Sequence, residues 1–492
     1  MWGLLLTIGT GLAAGGSPVP GVDGRLRCGL PSLLGELPRT RVPPTAPPVD
    51  RGEGKEERDA LGSFPNLMTS ENFVVKWGED GDVDEEDVEA LLEAFEVGWA
   101  FEVEDLGHAP PDGTDQYLFN VYLGDTGDGT PSGYGSAGYY YVDPEGWPLI
   151  VIALASLADE QWAAATAVHE LYHAVQAATG AYMSGDGLWY WEATASWMEG
   201  EALPEDRYYA LFLAGYAFLP HYRLHFFDYP DTGALQEYHQ YGAFIFPRYL
   251  TEFLAGPELI RDSWMEAGDE EDPLAVLAPD LDALGASAPS VFGDFAAHNA
   301  VWDYAESFLY QEYLYSWDQS YPGEDQQLVQ SVLGSGSDGW AEPPAETLPA
   351  SYGYNVIRMA DPERGTLRVA FEGDETGSEG SAAEFEVRVV VPTDDSYAYE
   401  AISLEQGTGD VELDIRNEDE LWLVVSSVSS DSVTGETFGY RYLLEYPEGS
   451  GPLAGLGCAC GSAGRRHEAG GGVVVGLFAF LVALARREQV VR

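Results

Sequence analysis

Thr166-Ala167-Val168-His169-Glu170-Leu171-Tyr172-His173-Ala174-Val175-Gln176 is the stretch on which the reading of this chain turns. On a helix, residues four apart share a face. His169 and His173 can therefore aim a ring nitrogen each at one point, with Glu170 beside whatever position the two imidazoles leave open. Such a pair suits a tetrahedral metal, Zn2+ above all, and a neighbouring carboxylate can take a proton from a water polarised there. The flanks fit a helix. Residues 163–179 are dominated by Ala, Val and Leu, and Gly180 follows as a C-terminal stop, so the motif falls on an apolar, buried helix.

A metal of this kind needs a third protein ligand. The segment Leu188-Trp-Tyr-Trp-Glu192-Ala-Thr-Ala-Ser196-Trp-Met-Glu199 reads as a second helix after a Ser184-Gly-Asp-Gly187 turn, and 18 residues separate Glu192 from His173. With Glu192 included, the pattern resembles the gluzincins, the thermolysin-like and aminopeptidase-like zinc peptidases that pair His-Glu-x-x-His with a glutamate on the following helix. The resemblance implies His169, His173 and Glu192 as zinc ligands and Glu170 as general base and later proton shuttle to the leaving amine. A solvated helix charge is the plainer alternative for Glu192, though tryptophans flank it. Thermolysin-like enzymes carry an aspartate four residues after the ligand glutamate to hold a histidine ligand, and this chain has Ser196 there. Glu199, on the same helical face as Glu192, is the substitute candidate for that role, with a surface glutamate as the alternative. An oxyanion donor is expected from Tyr238-His239-Gln-Tyr241-Gly-Ala-Phe-Ile-Phe-Pro-Arg-Tyr249, with Tyr241 first and His239 second.

Composition narrows the partners. With 83 acidic against 23 basic residues, a formal charge of −60, the chain is excluded as a nucleic-acid binder and is a poor match for anionic membrane surfaces. Lys55 and Lys76 are its only lysines. Such a surface fits a saline medium or calcium loading, and Asp125-Thr-Gly-Asp128-Gly is a candidate Ca2+ loop, plain turn chemistry being the alternative.

The ends point outside the cell. Residues 1–16 form a short apolar run closing on small residues, which reads as a signal peptide without a basic start. At the other end, Gly457-Cys458-Ala-Cys460-Gly461, a polar spacer, an apolar run from Val473 to Ala485 and Arg486-Arg487 resemble the myxobacterial C-terminal sorting tail called MYXO-CTERM. That resemblance implies processing near Cys458 by a sorting machinery and a protein secreted or anchored at the outer surface, touching membrane only through the tail. The run is shorter than the roughly 20 residues a bilayer needs, with a weak single span as the alternative. Cys28 is left over. Its setting, Arg25-Leu-Arg-Cys28-Gly-Leu-Pro31, resembles the cysteine switch of matrix-metalloprotease propeptides, which implies a thiolate on the zinc until the propeptide is removed; an incidental leader cysteine is the plainer reading.

At 492 residues, two folded domains plus tails are expected. The expected fold class is α+β. After the signal peptide, a disordered leader or propeptide covers 17–65, and a zincin-like domain covers 66–318, with a mixed sheet, an active-site helix and a helical C-terminal subdomain. In it, 72–77, 117–122, 138–142 and 149–154 read as strands and 85–106 as an amphipathic helix. The segment 133–141 is expected as the edge strand that pairs with extended substrate. A linker covers 319–349. Seven short strands between 350 and 447 read as an all-β sandwich, and 448–492 is the sorting tail. Taken together, the arrangement resembles the secreted metalloproteases of myxobacteria. The function this implies is an exported zinc endopeptidase, expected as a monomer, acting on protein or peptide substrates. A catalytically silent surface adhesin and a zinc aminopeptidase are the competing readings.

Overall fold

Continuous apolar runs make the centre of the first sheet. β2 (Phe73–Trp77), β3 (Phe119–Gly124) and β5 (Pro148–Ala153) are buried almost throughout, as strands covered on both faces must be, and they pair in parallel. β1 (Asn66–Thr69) and β4 (Gly138–Val142) close the two edges antiparallel, giving the order β1-β2-β3-β5-β4. The computed structural model describes Cys28, Lys55, Glu57, Arg58, Leu61, Gly62 and residues 64–446, except 134, 229–234, 319–329, 332–338, 361, 395, 417 and 430–434. Residues 1–16, most of 17–65 and 448–492 with Cys458 and Cys460, the stretches read as signal peptide, leader and sorting tail, lie outside the described residues.

The β2–β3 crossover is α1 (Glu85–Trp99), begun by the Asp84 carboxylate accepting from the Glu86 amide and by three acidic residues in its first turn. The helix expected to run to 106 instead becomes a π-helical turn, Ala100–Asp105. Gly98 lies there against Val168 and Leu171, where a Cβ would stand 3.1 Å from Leu171, and the turn carries Glu102 into the same contact. β3 starts two residues later than expected because Tyr117 donates its amide to the Gly113 carbonyl in a turn. β1 was not expected; only alternate residues of this short edge are covered.

α2 (Glu160–Thr179) carries the His-Glu-x-x-His motif. Asp159 caps it by accepting from the Trp162 amide, and Gly180 ends it at φ 71°, a left-handed conformation that favours glycine. α3 (Leu188–Ala202) packs beside it, and both are buried nearly all round. Around them lie α4 (Leu213–Ala217), α5 (His239–Gly242), α6 (Ile245–Phe253), α7 (Glu258–Glu266), α8 (Pro273–Ala283), α9 (Ala288–Val301) and α10 (Ser307–Asp318). The core of this region is aromatic: Trp264 is fully buried, stacked on Tyr190 with 5.6 Å between centroids and edge-on to Trp191 and Tyr182.

Seven strands follow at the places read as strands: β7 (Tyr354–Ala360), β8 (Gly365–Gly373), β9 (Phe385–Pro392), β10 (Tyr397–Ala401), β11 (Thr408–Ile415), β12 (Glu420–Ser427) and β13 (Tyr440–Glu445). With the two-residue β6 (Gln330–Ser331) they form sheets of order β10-β9-β12-β7-β6 and β11-β8-β13. The period-two alternation is plain in β12. Leu421, Leu423 and Val425 enter the core between the sheets, while Trp422 and Val424 join the core of the helical region. α9 seats that outer face: Arg388 donates from Nε to Asp294 at 2.7 Å, and His298 stacks on Tyr399 at 4.2 Å. Within the expected linker, Ala341 pairs with Tyr442 and Trp340 lies under the Arg441 guanidinium. The architecture is thus mixed α+β, and among the described residues no helix is long and apolar enough to cross a membrane.

Candidate metal centre

His169 and His173 stand one turn apart on α2, their rings perpendicular with centroids 4.7 Å apart. Each ring is held from behind at Nδ1. For His169 the holder is Glu199 on α3, with Oε1 at 2.7 Å; for His173 it is Gln176, with Oε1 at 2.7 Å. Both holders accept, so each Nδ1 donates and each Nε2 is turned toward the same point. Glu199 therefore stands where an orienting carboxylate is needed, whereas the Ser196 hydroxyl, though buried, makes no hydrogen bond. Gln176 went unread in the sequence. Its position three residues after His173 puts it on the same face, and its amide is further fixed by donating to the Trp191 carbonyl and the Thr194 hydroxyl.

Glu192 meets both imidazoles. Its Oε2 lies 3.1 Å from Nε2 of His169 and 3.6 Å from Nε2 of His173. Burial alone would push this carboxyl up, but the facing His173 charge and the hydrogen bonds from His169 and His173 outweigh it and hold the carboxyl down at about 2. Burial likewise disfavours charge on His173, and Glu192 reverses that, so its pKa is raised.

The fourth group is Cys28, fully buried, with Sγ 3.6 Å from Nε2 of His173. Ligand atoms of Cys28, His169, His173 and Glu192 all lie within 4.8 Å of one another. Tetrahedral zinc with bonds of 2.0–2.3 Å sets its ligand atoms about 3.3–3.7 Å apart; the two 3.6 Å spacings fall in that range, the 3.1 Å spacing is slightly shorter, and the whole set lies within 4.8 Å, so small side-chain shifts would bring it to such an ion. The donor set, one thiolate, two imidazoles and one carboxylate, suits Zn2+ chemically as well.

Glu170 lies beside this group and is wholly buried, with neither carboxyl oxygen in a well-formed hydrogen bond. Burial drives its pKa up to about 7, and the nearby Glu192 adds to that; His173, the Cys28 thiol and the Tyr140 main chain offset only part. A Cβ on Gly138 of β4 would stand 2.7 Å from Glu170 Cγ, so the edge strand passes directly over this carboxylate. β4 covers residues 138–141 of the 133–141 segment expected as the edge strand.

Tyr241, on α5, has its ring centroid 6.3 Å from that of His169, and its hydroxyl donates to the Cys28 carbonyl at 3.4 Å. His239 is placed differently: its ring packs among Tyr216, Phe226 and Tyr222, and burial lowers its pKa to about 3. Asp125 uses Oδ2 to accept from the Gly133 amide, closing the 125–133 loop, and Asp128 lines a surface recess with Asp80 and Glu79. Among the described residues, neither belongs to a convergent set of three or more metal-ligating groups.

Residues 46–436 match the family model DUF6055, described as a family of unknown function. The chain belongs to that family. No curated protein matches it. Solved structures with some likeness to this DUF6055 member include the pre-peptidase C-terminal domain of a collagenase from Bacillus anthracis, at 8% identity and TM-score 0.17, covering 24% of this chain and 94% of that one. Another is BtGH115A, a family GH115 4-O-methyl-α-glucuronidase with specificity for decorated arabinogalactans, at 8% identity and TM-score 0.14, covering 59% of this chain and 38% of that one. Likeness at that level carries no argument about fold or activity.

Proposed function

We propose that this protein is a zinc-dependent peptidase of zincin-like design. The observation that carries the reading is Glu170, a buried carboxylate without a well-formed hydrogen bond, set beside a convergent His-His-Glu set. His169, His173 and Glu192 would hold the zinc, which would supply Lewis-acid polarisation of a carbonyl and acidify a water. Glu170 would be the base that accepts a proton from the attacking water and the acid that returns it to the leaving amine as the C–N bond breaks. Tyr241 donates its hydroxyl to the developing oxyanion; its present bond to a main-chain carbonyl supports that assignment. Glu199 and Gln176 hold the imidazoles in the required tautomer.

A second reading has its own support. Four buried protein ligands, Cys28 among them, also describe a closed structural zinc site. Such a site has no use for Glu170, a buried carboxyl without a well-formed hydrogen bond, and leaving a buried acceptor unsatisfied costs about 1–3 kcal/mol. Export and surface anchoring belong to the same proposal and rest on residues 1–16 and 448–492.

The test is cleavage of a denatured protein mixture by zinc-loaded Cys28→Ser protein, with and without Glu170→Gln. The proposal expects new peptide termini with the first and a rate lower by about 10²-fold or more with the second, at equal zinc content. Equal zinc with no cleavage by either leaves the structural site ahead.

A further inference from the structure

We propose that Cys28 is a built-in occupant of the metal's open position, so that the full chain is latent until the segment carrying this residue is withdrawn. The inference rests on the zinc-peptidase reading of the site and adds its regulation.

Cys28 reaches the site from 145 residues before His173 in the chain. It gets there by strand addition: its main chain forms a parallel bridge with Gly138 on the free edge of β4, the strand that covers Glu170. Two groups of the one residue then take two positions that catalysis requires. The sulfur lies 3.6 Å from Nε2 of His173, in the metal-ligand group, where a water would otherwise be activated. The carbonyl takes the Tyr241 hydroxyl, the donor assigned to the oxyanion. A thiolate binds zinc more strongly than water does, so neither water nor a peptide carbonyl enters while it is there.

A second fastening lies further along the same segment. Lys55 donates to the Asn72 side chain and sits over the Trp99 ring at 4.6 Å. Arg58 donates to Asp143, just past the end of β4, and lies over Trp147 at 5.0 Å. Buried Lys76 pairs with Glu57 at 2.9 Å and donates to the Arg58 carbonyl. Both lysines of a chain with net charge −60 thus serve to hold Lys55, Glu57 and Arg58 on the body. The segment is pinned at the metal and again beside the strand that leads to it.

Cobalt(II) substitution of the full chain tests this without relying on activity. Wild type should show the visible ligand-field bands of a bound ion and a near-ultraviolet thiolate-to-cobalt band, and acetohydroxamate, a small metal-binding probe, should leave both unchanged. Cys28→Ser and Cys28→Ala should keep the visible bands, lose the thiolate band, and bind acetohydroxamate at least about tenfold more tightly. Visible bands without a thiolate band in wild type, or equal hydroxamate binding by all three proteins, would overturn the assignment of Cys28 and leave the metal site standing. Absence of visible bands from all three would overturn the metal site itself, and this inference with it.

Discussion

Replacing Glu199 should weaken metal binding more than replacing Gln176, although neither residue touches the metal. Glu199 Oε1 lies 2.7 Å from His169 Nδ1 with both side chains buried, and Gln176 Oε1 lies 2.7 Å from His173 Nδ1. The lengths match; the charges do not. A hydrogen bond to an ionised partner contributes about 1.5–3 kcal/mol and a neutral one about 0.5–1.5 kcal/mol. At 1.4 kcal/mol per factor of ten, Glu199→Leu should cost about 10–100-fold in zinc affinity and Gln176→Leu about 2–10-fold. Glu199→Gln keeps an acceptor and should fall between wild type and the leucine variant. The assay is competition with a chromophoric chelator at fixed pH, with far-ultraviolet circular dichroism to show that each apo protein is folded. Affinity of Glu199→Leu within twofold of wild type, or a larger loss in Gln176→Leu, would refute the reasoning.

Gly138→Ala should leave zinc bound and lower peptidase activity by about 10²-fold, because a Cβ 2.7 Å from Glu170 Cγ displaces the base; unchanged turnover of the zinc-loaded Cys28→Ser protein carrying it would contradict the placement of Glu170. Burial raises the Glu102 pKa well above its ordinary value, so the folded state favours the protonated acid, and its contribution declines as pH rises from the unfolded pKa toward the folded one. Glu102→Gln should flatten that decline and gain stability relative to wild type at pH 8, by about 1.4 kcal/mol for each unit of separation; parallel denaturation midpoints from pH 5 to pH 8 would rule it out. Trp264→Ala, which empties a site between Tyr190, Trp191 and Tyr182, should lower unfolding free energy by about 3–5 kcal/mol, and a loss under about 1 kcal/mol would show that the site collapses. With a net charge of −60, the unfolding temperature should climb as salt shortens the screening length from about 10 Å at 0.1 M to about 3 Å at 1 M, and a flat response would remove self-repulsion as a factor.

How much of this was legible in the sequence depended on distance along the chain. His169, Glu170 and His173 share one helix, so the 3.6-residue period alone brings them together, and Glu192 and Glu199 follow on the next helix within a short loop. The sandwich strands were readable because short apolar and β-branched runs alternate with turn residues; β12 is divided between two cores. The approach of Cys28 depends on an edge-strand pairing that no local period encodes. The placement of Tyr241 rather than His239 beside His169 turns on which way a four-residue helix faces its neighbours, and both residues are buried and polar. The π-helical turn was hidden for a similar reason. A buried Glu102 fits an amphipathic pattern only as an exception, and its cause is the close approach of α1 and α2 at Gly98.

The central claim, that four residues from distant parts of the chain converge on one metal, is tested most directly by metal content. Full-length protein purified without added zinc, then equilibrated with it and desalted, should carry about one zinc per chain by mass spectrometry, and folded His173→Ala should carry close to none. A wild type that retains no zinc, or a His173→Ala protein that retains as much as wild type, would contradict the account.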